Sequence, residues 1–152
     1  DIGPYAIHTI RNCFKENPVQ VYAQSKLNEQ GADVSTTGMI GFGGHKRATF
    51  DISFECTRRS EFEAFGPLGR VKCPTVWQPE DKQAKIIINT ESSGLTEEVV
   101  PAANHFILEV NHFNKIISSD ISPKLTKEDA LWNARTLESI EQSIKVESWV
   151  NL

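Results

Sequence analysis

The sequence contains no apolar run near the roughly 18 residues that span a bilayer. It also opens without a charged-then-apolar secretory leader. It holds only three cysteines, Cys13, Cys56 and Cys73, odd in number and without Cys-x-x-Cys spacing. That excludes a disulfide frame and a zinc ribbon, and predicts reduced thiols, buried as small hydrophobes, in a cytoplasmic protein. Basic residues are outnumbered, 16 Lys and Arg against 20 Asp and Glu for a formal charge of −4. Lys46-Arg47 and Arg58-Arg59 are isolated pairs, so a nucleic-acid partner is excluded. The one methionine is Met39, which leads to the expectation of a fragment or processed product of a longer protein. Neither a Gly-x-Ser-x-Gly elbow nor a Gly-x-Gly-x-x-Gly fingerprint occurs. Gly41-Phe42-Gly43-Gly44 precedes a strand rather than a helix, so it reads as a turn and not a phosphate loop. Of the four histidines, His105 and His112 lie seven apart with Glu109 between them. A helical metal pair prefers a spacing of four, so no metal is expected.

What is present is the composition of a soluble globular domain. With 152 residues, 39% hydrophobic and 24% charged, the chain is long enough to bury a core and is expected to form one domain. Ile7, Ile10 and Phe14 recur at helical spacing, predicting a helix from about Pro4 to Phe14, ended by Asn17-Pro18. The period then changes to two. Val19, Val21 and Ala23 alternate with Gln20, Tyr22 and Gln24, and Val34, Thr36, Gly38, Ile40 and Phe42 form a second such set. Gly43-Gly44 signals a hairpin into a third strand, with Ala48, Phe50, Ile52 and Phe54 inward. Shorter strands are expected at Glu61 to Phe65, Arg70 to Cys73 and Lys85 to Thr90, with Ser92-Ser93-Gly94 as a loop. Two helices follow. Ala102 to Ile117 aligns Phe106, Val110, Phe113 and Ile117. A last helix, capped by Thr126 with Asp129 three residues on, buries Ala130, Ala134, Leu137, Ile140 and Ile144. Helix, antiparallel strands, then helices is the α+β order, an open, mainly antiparallel sheet with helices on one face.

The N-terminal segment Asp1-Ile2-Gly3-Pro4-Tyr5 carries the chemistry. Pro4 suits a first helical turn, and an acid and a phenol four apart share a helix face. A tyrosine there lies near the positive end of the helix dipole, where negative charge is favoured. Two readings stand side by side: a proton-transfer tyrosine, and a helix start with a half-buried aromatic. His8, one turn on, is either near that site or a core histidine. Trp77, in the proline-bounded segment Pro74-Thr75-Val76-Trp77-Gln78-Pro79, either lines a substrate pocket or packs a loop.

Asp1 to His8, Phe14, Asn17 to Ala23, Asp33 to Gly44, Phe65 to Val71, Leu125 to Asn133 and Ile140 to Ser143 occur in a telling order and at telling intervals. In these segments the chain resembles the second domain of the glucose–fructose oxidoreductase / inositol dehydrogenase / MocA family. The resemblance is to the branch of dihydrodiol and xylose dehydrogenases, which carry tyrosine at the fourth position after the aspartate, and it covers nearly the whole chain.

The resemblance implies a fold like the C-terminal domain of glyceraldehyde-3-phosphate dehydrogenase, over residues 1–152. An N-terminal Rossmann domain, absent from this chain, would bind NAD or NADP and supply a catalytic lysine. The chain alone would bind no cofactor and be inactive. Tyr5 is implied as the catalytic residue, and Asp1, Tyr5 and Trp77 as substrate-binding residues, in an enzyme acting on the CH–OH group of a sugar or diol. A homodimer is implied through the open sheet face that carries Tyr22, Gln24, Thr37 and Met39. The alternative is a non-catalytic regulatory or dimerisation module of the same fold. Presence of both Asp1 and Tyr5 favours the enzyme.

Overall fold

In a computed structural model of the protein, the structure describes residues 2–77, 82–119 and 121–152. In chain order the elements begin with α1 (Gly3–Phe14), β1 (Gln20–Leu27), β2 (Asp33–Gly41) and β3 (Arg47–Ser53). There follow β4 (Phe62–Gly66), β5 (Gly69–Cys73), β6 (Ala84–Thr90), β7 (Gly94–Val100) and α2 (His105–Ser119). The chain closes with α3 (Lys127–Val146) and β8 (Val150–Asn151). The chain divides into two compact units, Asp1–Thr57 with Leu125–Leu152, and Arg58–Lys124.

The first unit is a four-stranded antiparallel sheet in the order β3-β2-β1-β8, with α1 and α3 packed on one face. The period-two pattern explains this directly. Val21, Ala23, Thr36, Gly38, Ile40 and Phe50 point to the helices and are buried. Gln24, Thr37, Thr49 and Asp51 point away and are exposed. Ile7 and Ile10 of α1 and Ile140 of α3 complete the core, with Phe14 stacked 4.4 Å from Phe42 between ring centroids. Full burial of a side chain such as Ile7 contributes about 2 kcal/mol. Gly38 is required by close approach, since a Cβ there would stand 2.6 Å from the Phe50 ring and 2.7 Å from the Tyr22 carbonyl oxygen. The diglycine turn joins β2 to β3 as one 3-10 turn, with Gly44 left-handed at φ 66°.

Two details depart from the sequence reading. Phe54 lies beyond β3 and is 59% exposed rather than inward, because the strand ends at Ser53. On α3 the buried seam runs through Thr136, Ile140 and Ser143, while Ala130 and Ala134 are exposed. The Ser143 hydroxyl explains the shift: it accepts from Ala23 N–H at 3.0 Å and donates to the Ser148 carbonyl at 2.6 Å, satisfying backbone of β1 beyond the short β8. Thr126 caps α3 as expected, accepting from Asp129 N–H at 3.1 Å.

The second unit is a separate antiparallel sheet in the order β4-β5-β6-β7, followed by α2. Gly66-Pro67-Leu68-Gly69 turns between β4 and β5. Strand β7 was not legible in the sequence, because Glu97-Glu98 interrupt its alternation and every position is exposed. The aligned apolar residues of α2, Phe106, Val110, Phe113 and Ile117, are each more than half exposed. The α+β class with antiparallel strands therefore holds, distributed over two sheets.

The cysteines also depart in part. All three are free, but Cys13 and Cys56 are exposed. Cys73 is half-buried, and that burial raises its thiol pKa above the ordinary value. Thiolate is the reactive form. Alkylation near neutral pH, followed by mass spectrometry, is therefore expected to modify Cys13 and Cys56 well before Cys73. Equal rates at all three would contradict this order.

Candidate functional site

The first turn of α1 is where the sequence places its chemistry. Gly3 opens the helix, Pro4 sits in the first turn where its missing N–H costs nothing, and Tyr5 follows. Tyr5 is 58% exposed, so the phenol is presented outward instead of packing as a half-buried aromatic. Its backbone is tied, with Tyr5 N–H donating to the Ile2 carbonyl at 3.2 Å and the Tyr5 carbonyl accepting from the Thr9 hydroxyl at 2.9 Å. Asp1, implied as a substrate-binding residue, lies outside the described residues.

His8 is half-buried one turn on. Asn12 Nδ2 stands 2.8 Å from His8 Nε2 and also donates to the His8 carbonyl at 3.0 Å. An amide nitrogen can only donate, so Nε2 accepts and the imidazole proton is assigned to Nδ1.

The opposite face of α1 is locked to α3. Arg11, 5% exposed, donates through Nη1 to the Asp129 carbonyl at 2.9 Å. Its Nη2 donates to Asp129 Oδ1 at 3.1 Å and to Asn17 Oδ1 at 3.2 Å. One turn along α3, Asn133 Nδ2 donates to the Pro4 carbonyl at 3.4 Å. Sequence reasoning missed both contacts. Arg11 had a visible signal, since it falls four residues after Ile7 and three before Phe14, on the stripe that the helix buries.

Trp77 belongs to the second unit, is half-buried, and carries a left-handed backbone at φ 51°. Tyr5 and Trp77 are thus in different units. A groove of about 420 Å³ lies at one end of the open sheet face, lined in part by Gln20, Met39, Lys46, Arg47 and Trp149. Tyr22 and Trp149 stack across that face at 5.7 Å between ring centroids.

Neither glycine turn of this chain is built as a site for a nicotinamide cofactor. The glycine turns at Gly43–His45 and Gly66–Gly69 link strand to strand, so neither presents helix N-terminal amides to a pyrophosphate. Among the described residues no three of His, Cys, Asp and Glu stand together as metal ligands, and no helix is long and apolar enough to cross a membrane.

Comparison with known proteins agrees with the resemblance read from the sequence. Residues 1–72 match the GFO/IDH/MocA C-terminal domain. An uncharacterized oxidoreductase of Rhizobium meliloti is 26% identical over 98% of this chain and 46% of its own length. D-xylose 1-dehydrogenase (NADP(+)) of Haloferax volcanii is 20% identical over the whole chain and 47% of its own length. A 3-ketoreductase from Actinomadura kijaniata, in complex with TDP-benzene and NADP, shares the fold with a TM-score of 0.82 and 20% identity, over 94% of this chain and 46% of that one. The chain spans about half the length of the relatives it matches.

Proposed function

We propose that this chain, whose first 72 residues match the C-terminal domain of the GFO/IDH/MocA family, is the substrate-binding half of an NAD(P)-dependent oxidoreductase acting on a CH–OH group of a sugar or diol. The observation that carries the reading is Tyr5, an exposed phenol held on the first turn of a helix whose other face is buried. In this reading Tyr5 exchanges the proton of the substrate hydroxyl, and Asp1 and Trp77 bind substrate. The nicotinamide cofactor supplies hydride chemistry and is held by the other half of the parent protein. A phenol needs a neighbouring cation to exchange protons near neutral pH, and a lysine of that half meets the need. The 3-ketoreductase that shares this fold is also known in forms with a lysine or a tyrosine replaced, the two residue types this reading requires.

The open face with Tyr22, Gln24, Thr37 and Met39 suits a second copy of the chain, being mixed in polarity like an interface rather than a core. The free thiols suit a cytoplasmic location.

The test is to express the parent protein with its other half, and to assay sugars and diols with NAD and NADP. Turnover with one cofactor, from a dimer by sedimentation, is the expected result. A parent that binds neither cofactor and oxidises or reduces none of these compounds would sink the enzyme reading in favour of a regulatory module.

A further inference from the structure

Asp129, Asn133 and Leu137 recur at steps of four along α3 and so share one side of it. Each meets α1. Asp129 holds Arg11, Asn133 Nδ2 donates to the Pro4 carbonyl at 3.4 Å, and Leu137 Cδ2 lies 3.6 Å from where a Cβ on Gly3 would stand. Of the three, Asn133 is the one hydrogen-bonded to the turn that bears Tyr5.

That turn needs a restraint. The residue before α1 is Ile2, with φ −83° and ψ −30°, and among the described residues no side chain caps the helix. An uncapped first turn leaves amide groups without intrahelical partners and is prone to fray. The Pro4 carbonyl has two lone pairs and uses one in the helix ladder, which leaves the second for Asn133.

The orientation of the amide is fixed by its partner, because a carbonyl accepts and only the nitrogen of Asn133 can donate to it. This turns Asn133 Oδ1 inward, where it is buried with no hydrogen-bond partner among the described residues. An unfilled buried acceptor is costly, and an apolar side chain would pack there without that cost. Asparagine at this position is explained by what its nitrogen holds.

We infer that Asn133 is a positioning residue for Tyr5: by tying the Pro4 carbonyl to α3 it fixes the direction in which the phenol is presented. The inference rests on the reading of Tyr5 given above. Its test is a double-mutant cycle in the intact parent enzyme, with Asn133→Ala, Tyr5→Phe and the two combined. Asn133→Leu serves as a second variant that fills the volume without the tie. All are assayed below their unfolding midpoints.

Asn133→Ala and Asn133→Leu are expected to lower kcat about ten- to a hundredfold, the scale of a small misplacement of a reacting group. Each should move the pH–rate profile and leave the KM for the nicotinamide cofactor unchanged. Added to Tyr5→Phe, either should cost nothing more, since no hydroxyl remains to be placed. Unchanged kcat, or effects that multiply with Tyr5→Phe, would overturn the role of Asn133 alone. Full turnover in Tyr5→Phe would remove the reading of Tyr5 and this inference with it.

Discussion

Replacing Tyr5 by phenylalanine in the intact parent is expected to lower kcat by about 10²- to 10⁴-fold, the usual contribution of a positioned proton donor or acceptor. The ring is retained and only the hydroxyl is lost. Because Tyr5 is 58% exposed at the start of α1, its hydroxyl does not hold the core together, and stability should change by less than about 0.5 kcal/mol. Cofactor affinity should not move, since the glycine turns of this chain do not provide a pyrophosphate site. The measurement is steady-state turnover beside cofactor titration and a thermal melt. Lost activity with an unchanged melt and unchanged cofactor binding supports proton transfer at Tyr5. Full activity removes that role.

The second large effect concerns stability and is asymmetric. Arg11 is 5% exposed, whereas the Asp129 side chain retains 28% of its accessible surface. Asp129→Ala leaves a buried guanidinium without its carboxylate, a change expected to cost about 3–5 kcal/mol. Arg11→Met removes the buried charge and fills its volume, and Asp129 can be hydrated in its place, so the cost should be nearer about 1 kcal/mol. Urea unfolding of the two variants, with equal m-values, reads the difference. If Arg11→Met proves the more damaging, the pair acts through something other than the burial of its cation. Either variant also loosens the joint between α1 and α3. A loss of activity in Asp129→Ala greater than its loss of folded protein would tie that joint to Tyr5.

Much of this architecture is legible in the order of residues, for a simple reason. Helix and strand periods are local, and in α1, β1, β2 and β3 the apolar positions follow 3.6 and 2.0 cleanly. Ile7 and Ile10 recur as on a helix, and Val21 and Ala23 as on a strand, and the structure buries all four. Thr126 announces its cap through a hydroxyl three residues before Asp129, again a local event. The strands that escaped are those without a pattern to read. Two residues of β8 are too few to alternate, and β7 alternates around adjacent glutamates. On α3 Leu137, Ile140 and Ile144 pack on the core as read, but Ala130 and Ala134 were misjudged because alanines look apolar, whereas Thr136 and Ser143 are buried through hydrogen bonds to backbone.

The candidate site divides in the same way. Tyr5 was visible because its neighbours Gly3 and Pro4 mark a helix start and its segment resembles a known family. Arg11, Asp129, Asn133 and the Pro4 carbonyl were not visible as partners, because 118 residues separate Arg11 from Asp129 and 129 separate Pro4 from Asn133. By itself the sequence determined the class of fold, the polarity of the two faces of the sheet built from β1, β2 and β3, and the residue that presents a phenol, all set by local period and side-chain chemistry. Only the tertiary structure decided which side of α3 meets α1, and so which side chains hold Tyr5 in place. That choice depends on how two helices pack across one sheet, and packing joins residues that the chain itself keeps far apart.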